Sequence, residues 1–101
     1  MANSTLRALK IQKLLAGKSL TGMRLKDIAK ALAENESTTY RTLQDMIAEG
    51  FVIQFEHNDH YALSSSCLAI ATAHSIEIGQ AQDRLNSITQ RVTANAHQFL
   101  N

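Results

Sequence analysis

Apolar positions recur at spacings of three and four up to Gly50, alternate over a short stretch after it, then return to the helical spacing. That change of period predicts helices, a β-hairpin and helices again. The segment from Leu25 to Gly50 is the clearest. Leu25, Ile28, Ala29 and Leu32 give a helix one buried face. A short polar turn, Ala33-Glu34-Asn35-Glu36, follows, and Asn35 is its residue most tolerant of a left-handed backbone. Ser37 is placed to N-cap a second helix and Gly50 to end it. Tyr40, Leu43, Met46 and Ile47 fall on the inner side of that helix. Thr38, Thr39, Arg41, Thr42, Gln44 and Asp45 fall on the outer side. Two helices joined by a tight turn make a helix-turn-helix.

Upstream, Asn3-Ser4-Thr5 offers N-caps to a helix through Leu15, with Leu6, Leu9 (or Ala8), Ile11, Leu14 and Leu15 as its apolar face. Gly17 stops it. Met23-Arg24-Leu25 has room for a very short strand. Such a strand would give a later hairpin a third partner, and a lone two-stranded hairpin is marginal in water. The β runs are Phe51-Val52-Ile53-Gln54-Phe55 and Tyr61-Ala62-Leu63, around the tip Glu56-His57-Asn58-Asp59-His60. A helix-turn-helix followed directly by a hairpin is the winged form.

Ser64-Ser65-Ser66 caps the next helix, which carries Leu68, Ile70, Ala71 and Ala73 to about Ile76. Gly79 interrupts this helix or separates it from another. Ala81, Leu85, Ile88, Val92, Ala96 and Phe99 then form a narrow stripe. A narrow stripe fits a coiled-coil-like homodimer contact through Leu85, Ile88 and Val92, or a helix packed back on its own domain. The expected fold is therefore mainly α with a small β-hairpin wing. A winged helix-turn-helix occupies residues 1–63, and a C-terminal helical segment over 64–101 serves dimerisation.

Composition adds bounds. At 101 residues and 45% hydrophobic, the chain supports one small domain with a modest core. Net charge is +1, but residues 1–30 hold seven bases and one acid, and residues 31–101 hold three bases and eight acids. The basic end can approach phosphates; lysines that merely solubilise the first helix are the alternative. From Arg24 to Gly50 there are four bases and five acids, so phosphate neutralisation would fall to Arg7, Lys10, Lys13, Lys18, Arg24 and Lys26. Cys67 is the only cysteine, which excludes an internal disulfide and fits a reducing cytoplasm. No apolar run approaches membrane length and the N-terminus lacks a signal-peptide core, so a soluble cytoplasmic protein is expected.

The outer residues of the second helix have the chemistry to read a DNA groove. Arginine forks onto guanine O6 and N7, glutamine pairs with adenine N6 and N7, and threonine touches phosphate or a thymine methyl. The candidate DNA contacts are Arg24, Lys26, Ser37, Thr38, Thr39, Arg41, Thr42 and Gln44, with His57 and Asn58 from the wing. The competing reading is an ordinary solvated face, with Thr39 or Thr42 bonding back to the backbone. Tyr40 is assigned to packing. His57 and His60 with Asp59 lack the further ligand a zinc site needs, so no metal is expected. No nucleophile-base-acid set, glycine-rich phosphate loop or carboxylate cluster is present, so neither an enzyme nor a cofactor is expected.

The pattern ALKIQKLL…RLKDIAKAL…STTYRTLQDMIAEGFV…YAL resembles the N-terminal DNA-binding domain of the IclR-type transcriptional regulators. Ser37-Thr38-Thr39-Tyr40-Arg41 with Leu43, then Glu49-Gly50-Phe51-Val52 and Tyr61-Ala62-Leu63, follow that family's recognition helix and wing in order and spacing. The likeness covers roughly residues 5–63 and continues more weakly to about residue 95. It implies a winged helix-turn-helix that binds double-stranded operator DNA as a homodimer. Ala33-Glu34 stand where the family's turn usually has a glycine and then an apolar residue. Members also carry a large C-terminal effector-binding domain, whereas this sequence ends at Asn101. The expectation is a regulator that is constitutive, or controlled by a protein partner or by its own concentration. A winged helix used as a protein-docking module without DNA binding is the alternative.

Overall fold

The computed structural model describes residues 3–100, ordered as α1 (Ser4–Leu14), α2 (Leu25–Leu32), α3 (Glu36–Ala48), β1 (Val52–Gln54), β2 (Tyr61–Leu63) and α4 (Ser65–Leu100). The chain divides into two units, the first ending at Leu68 and the second beginning at Ala69. The expected order of helices, hairpin and helix is present.

In the first unit α1 is capped by Asn3, whose side chain accepts from the Leu6 amide. Its buried face is narrower than the sequence pattern predicts. Ile11 and Leu15 are fully buried, whereas Leu6 and Leu9 are about half exposed. Ala8 and Leu14 pack at the core's margin instead. Ile28 from α2, Leu43 and Met46 from α3, Val52 from β1, Tyr61 and Leu63 from β2 and Cys67 from the first turns of α4 complete one apolar cluster. Burying each such aliphatic side chain stabilises the fold by about 1.5–3 kcal/mol before entropy is subtracted.

The turn between α2 and α3 departs from expectation in two places. Ala33, not Asn35, takes the left-handed conformation, at φ 56° and ψ 40°. The amides of Ala33 and Glu34 donate back to the Lys30 and Ala29 carbonyls. This paired closure places its left-handed residue where a glycine is usually found. Asn35 is extended and caps α3, accepting from the Thr38 amide at 2.7 Å. Ser37 is therefore inside the helix, because the cap lies two residues earlier than the sequence reading places it. At the other end, Gly50 (φ 81°) and Phe51 donate to Ile47 and Met46 in the same paired pattern. There the glycine is in its favoured place.

The hairpin is antiparallel, with Val52 opposite Leu63, Ile53 opposite Ala62 and Gln54 opposite Tyr61. Met23 adds the expected third partner. It exchanges both backbone hydrogen bonds with Tyr61, at 2.8 and 2.9 Å. Ser64 then ties the hairpin to α4. Its hydroxyl donates to the Gly50 carbonyl and accepts from the Cys67 amide, and its own amide donates to Phe51.

The second unit is the remainder of α4. Gly79 does not interrupt it: the helix is continuous from Ser65 to Leu100. A single interior glycine costs a helix about 1 kcal/mol relative to alanine, too little to break thirty-six residues. Leu85, Ile88 and Val92 are exposed in the single chain. None of the helices is both long and apolar enough to cross a membrane, among the described residues.

Candidate nucleic-acid interface

Helix α3 has a two-sided distribution, but its inner arc is rotated from the one predicted. Leu43 and Met46 are buried, and Thr39 and Thr42, each one turn earlier, are buried with them. The Thr39 hydroxyl donates to the Asn35 carbonyl at 2.9 Å and that of Thr42 to the Thr38 carbonyl at 3.2 Å. Both hydroxyls donate their proton to the preceding turn. They are not on the outer face, which corrects the placement expected of these two candidate DNA contacts. Tyr40 moves the other way. It is 47% exposed, not an inner packing residue.

The exposed arc that remains is centred on Arg41. Ser37, Arg41, Gln44 and Ala48 follow one another at spacings of four, three and four, with Ser37, Arg41 and Ala48 exposed and Gln44 half-buried. Thr38 (half-buried) and Asp45 (exposed) flank one side of this stripe, and Tyr40 the other. Between α1, the turn and α3 lies a polar cleft of about 490 Å³, bordered by Glu34, Asn35, Thr38, Arg41 and Asp45. Arg41 has the reach of a guanidinium and a solvent-facing base, which is what bidentate pairing to a groove edge requires.

The surrounding bases sort into two groups. Arg7 is turned inward with its side chain 15% exposed, Nε donating to Thr42 Oγ1 and Nη1 lying 3.8 Å from Glu34 Oε1. It is a structural residue of this corner, not one of the phosphate-facing bases expected. Arg24 precedes α2 and pairs with Asp27 at 3.2 Å, with both side chains largely solvated. Such a pair is weak and can be exchanged for another anion. The ammonium of Lys18 donates to the Leu14 carbonyl. Lys10, Lys13, Lys26 and Lys30 are exposed. Helix α3 and its C-cap carry three exposed acids, Glu36, Asp45 and Glu49, against one base, Arg41.

The wing tip is ordered by its own polar groups. Asn58 Oδ1 accepts from the His60 amide, and Asp59 takes a left-handed φ of 60°. Gln54 donates through Nε2 to the Asp59 carbonyl. The His57 ring stacks on Phe55 at 5.5 Å and stays exposed, whereas the His60 ring nitrogen lies 3.0 Å from the Thr21 carbonyl. His57 and Asn58 are thus presented at the surface, and His60 holds the wing to the Thr21–Gly22 loop. Tyr61, buried in β2, has its phenol pushed above its ordinary pKa by desolvation, with smaller contributions from Tyr40 and Asp59. Thr39 and Thr42 lie four residues before Leu43 and Met46, but Tyr40 and Ile47 share the Leu43 face equally, so spacing alone does not single out the threonines.

Residues 4–54 match the model of the IclR helix-turn-helix domain. Among solved structures, the chain is similar to an IclR transcriptional regulator from Alicyclobacillus acidocaldarius, with 25% identity over 71% of this chain and a TM-score of 0.63. It is also similar to HmgR of Pseudomonas aeruginosa, with 30% identity over 71% of this chain and a TM-score of 0.61. The chain spans 29% of the length of each of these two proteins. A third similar structure is the ORF112 Zα domain of cyprinid herpesvirus 3, described in its mode of binding to Z-DNA. It shows 26% identity over 61% of this chain and 98% of that domain, with a TM-score of 0.53. No curated protein sequence matches the chain.

Proposed function

The chain belongs to the IclR helix-turn-helix family, and from that membership we propose that it is a sequence-specific double-stranded DNA-binding protein, a transcriptional regulator acting as a homodimer in the cytoplasm. The observation that carries this reading is the stripe of exposed Ser37 and Arg41 with half-buried Gln44 along α3, inside the family's matched region. Recognition in this reading is by Arg41 and Gln44 at base edges, with Ser37 and Thr38 at the phosphates. Lys26 and Arg24 approach the same backbone, and His57 and Asn58 reach it from the wing. Leu85, Ile88 and Val92 make the dimer contact.

A second reading, a protein-docking winged helix, draws on the excess of acids over bases along α3 and its cap, Glu36, Asp45 and Glu49 against Arg41. Duplex binding across a salt series separates the two. The regulator reading expects affinity that falls steeply as salt rises, because lysine contacts release counterions from the duplex. It also expects Arg41→Ala to weaken binding to a selected site by about ten- to a hundredfold, the range for one bidentate base contact, with unchanged thermal stability. Absence of duplex binding at low salt would favour the docking reading.

A further inference from the structure

The second unit presents a longer apolar seam than the stripe beginning at Ala81. Ala71, His74, Ile78, Ala81, Leu85, Ile88 and Val92 follow at strictly alternating spacings of three and four, which is three heptads with one facing side. Ile78, Leu85, Ile88 and Val92 are each 46–63% exposed. Four branched apolar side chains left in water between Ile78 and Val92 mark an interaction surface.

The charges beside the seam say what covers it. Glu77, Arg84 and Arg91 each stand one residue before Ile78, Leu85 and Val92, so all three line the same edge. Glu77 has no lysine or arginine three or four positions away, and Arg84 has no acid there. The ion pairs seen among the described residues are Arg7–Glu34 and Arg24–Asp27.

We propose that the Ala71–Ile88 part of this seam is covered by the same stretch of a second copy of this chain, the two helices running antiparallel with Glu77 of each copy opposite Arg84 of the other. This deepens the dimer reading above and rests on it. In this register Ile78 of each copy packs on Ala81 of the other, Leu85 on His74 and Ala71 on Ile88. The edge charges then pair twice. A parallel pairing would instead set Glu77 against Gln82 and Arg84 against Thr89, with no ion pair at either.

The register also fixes a spacing. Leu68, the last residue of the winged-helix unit, comes alongside Arg91 of the other copy. The two Leu68 positions are then about 34 Å apart along the shared axis, at the helical rise per residue. Parallel helices would hold the two Leu68 positions only about 10 Å apart.

Sedimentation of the full chain without DNA tests the proposal. The wild type is expected to dimerise. Glu77→Arg and Arg84→Glu should each weaken the dimer by about fivefold or more, because each sets like charges opposite one another twice. The double variant E77R/R84E should return to within about twofold of the wild type, as coupled sites require. Both substitutions are on an exposed helix, and circular dichroism confirms that helix content is kept in all three variants. A double variant no tighter than the singles, singles that behave as wild type, or a wild type that stays monomeric would each overturn the proposal. Salt-dependent duplex binding is scored separately, so loss of the seam and loss of DNA binding are distinguishable.

Discussion

Arg7 on α1 donates through Nε to the Thr42 hydroxyl on α3 at 3.0 Å, bridging thirty-five residues of sequence. The same guanidinium lies against Glu34 in the turn between α2 and α3. One side chain therefore links α1, the turn and the candidate recognition helix. Arg7→Met keeps the apolar stem and deletes the donors, leaving Glu34 and one lone pair of Thr42 without their partner. The expected cost is about 1–3 kcal/mol, read as a lower urea midpoint at unchanged slope. Under conditions where the variant is folded, the salt dependence of DNA binding should be that of the wild type. A shallower salt slope with full stability would instead make Arg7 a phosphate contact.

The buried threonines give the second prediction. Thr39→Val preserves shape and removes the hydroxyl that donates to the Asn35 carbonyl. DNA affinity should stay within about twofold, and stability should change by about 1 kcal/mol or less, the net worth of one such bond. Fluorescence anisotropy on a labelled duplex and a thermal melt read the two quantities. Lost affinity at unchanged melting temperature would return Thr39 to the DNA face.

These two corrections show where sequence reasoning stopped. The element order, the hairpin, the Met23 bridge, the Gly50 stop and the exposed Arg41 all follow from local rules of period, capping and turn chemistry. The inner arc of α3 does not. Leu43 shares a face with Thr39 on one side and with Tyr40 and Ile47 on the other, and hydrophobicity favours the tyrosine. What decides the matter is α1 crossing above Thr42 with Arg7 turned inward, a contact between distant parts of the chain. The continuity of α4 through Gly79 was hidden for a different reason. A glycine is a helix stop only when the chain also turns there, and its conformation is not legible from its identity.

Ala33 holds a left-handed backbone at φ 56° that an L-residue with a Cβ occupies only at a cost. Ala33→Gly should raise stability by about 1 kcal/mol, the strain relieved less the added entropy of the unfolded chain. Chemical denaturation checks it. A destabilised variant would mean that the Ala33 methyl contributes packing that outweighs its strain.

Tyr61 supplies a pH dependence of definite sign. Burial, with Tyr40 and Asp59 adding to it, raises the folded-state pKa above the unfolded value of 10.0. The folded state therefore holds the phenolic proton more tightly. Its contribution to stability is complete below about pH 10 and is lost as pH climbs from there through the folded-state value. Thermal melts between about pH 8 and 11 should show a decline that is reduced in Tyr61→Phe. An identical decline in the variant would assign the alkaline loss to other groups.

The hairpin depends on an approach that only glycine permits. At Gly22 a Cβ would stand 2.8 Å from both the His60 Cβ and the Tyr61 carbonyl oxygen, and the backbone is left-handed at φ 68°. Gly17 and Gly50 are also left-handed, at φ 77° and 81°, yet a Cβ at either meets nothing within 4 Å. The three glycines thus separate backbone strain from steric exclusion. Gly17→Ala and Gly50→Ala should each cost about 1–2 kcal/mol, the penalty of the left-handed conformation. Gly22→Ala bears that penalty and in addition forces the Thr21–Met23 segment off β2, breaking the Met23–Tyr61 bridge and moving His60 from the Thr21 carbonyl. Its cost should exceed theirs by about 1–3 kcal/mol, as overpacking against fixed atoms does. Amide exchange at Met23 and Tyr61 should quicken selectively. DNA affinity should fall with it if the wing contributes to binding, because a two-stranded hairpin without its third partner is marginal. Equal costs at all three glycines would show that the loop can yield without releasing the wing.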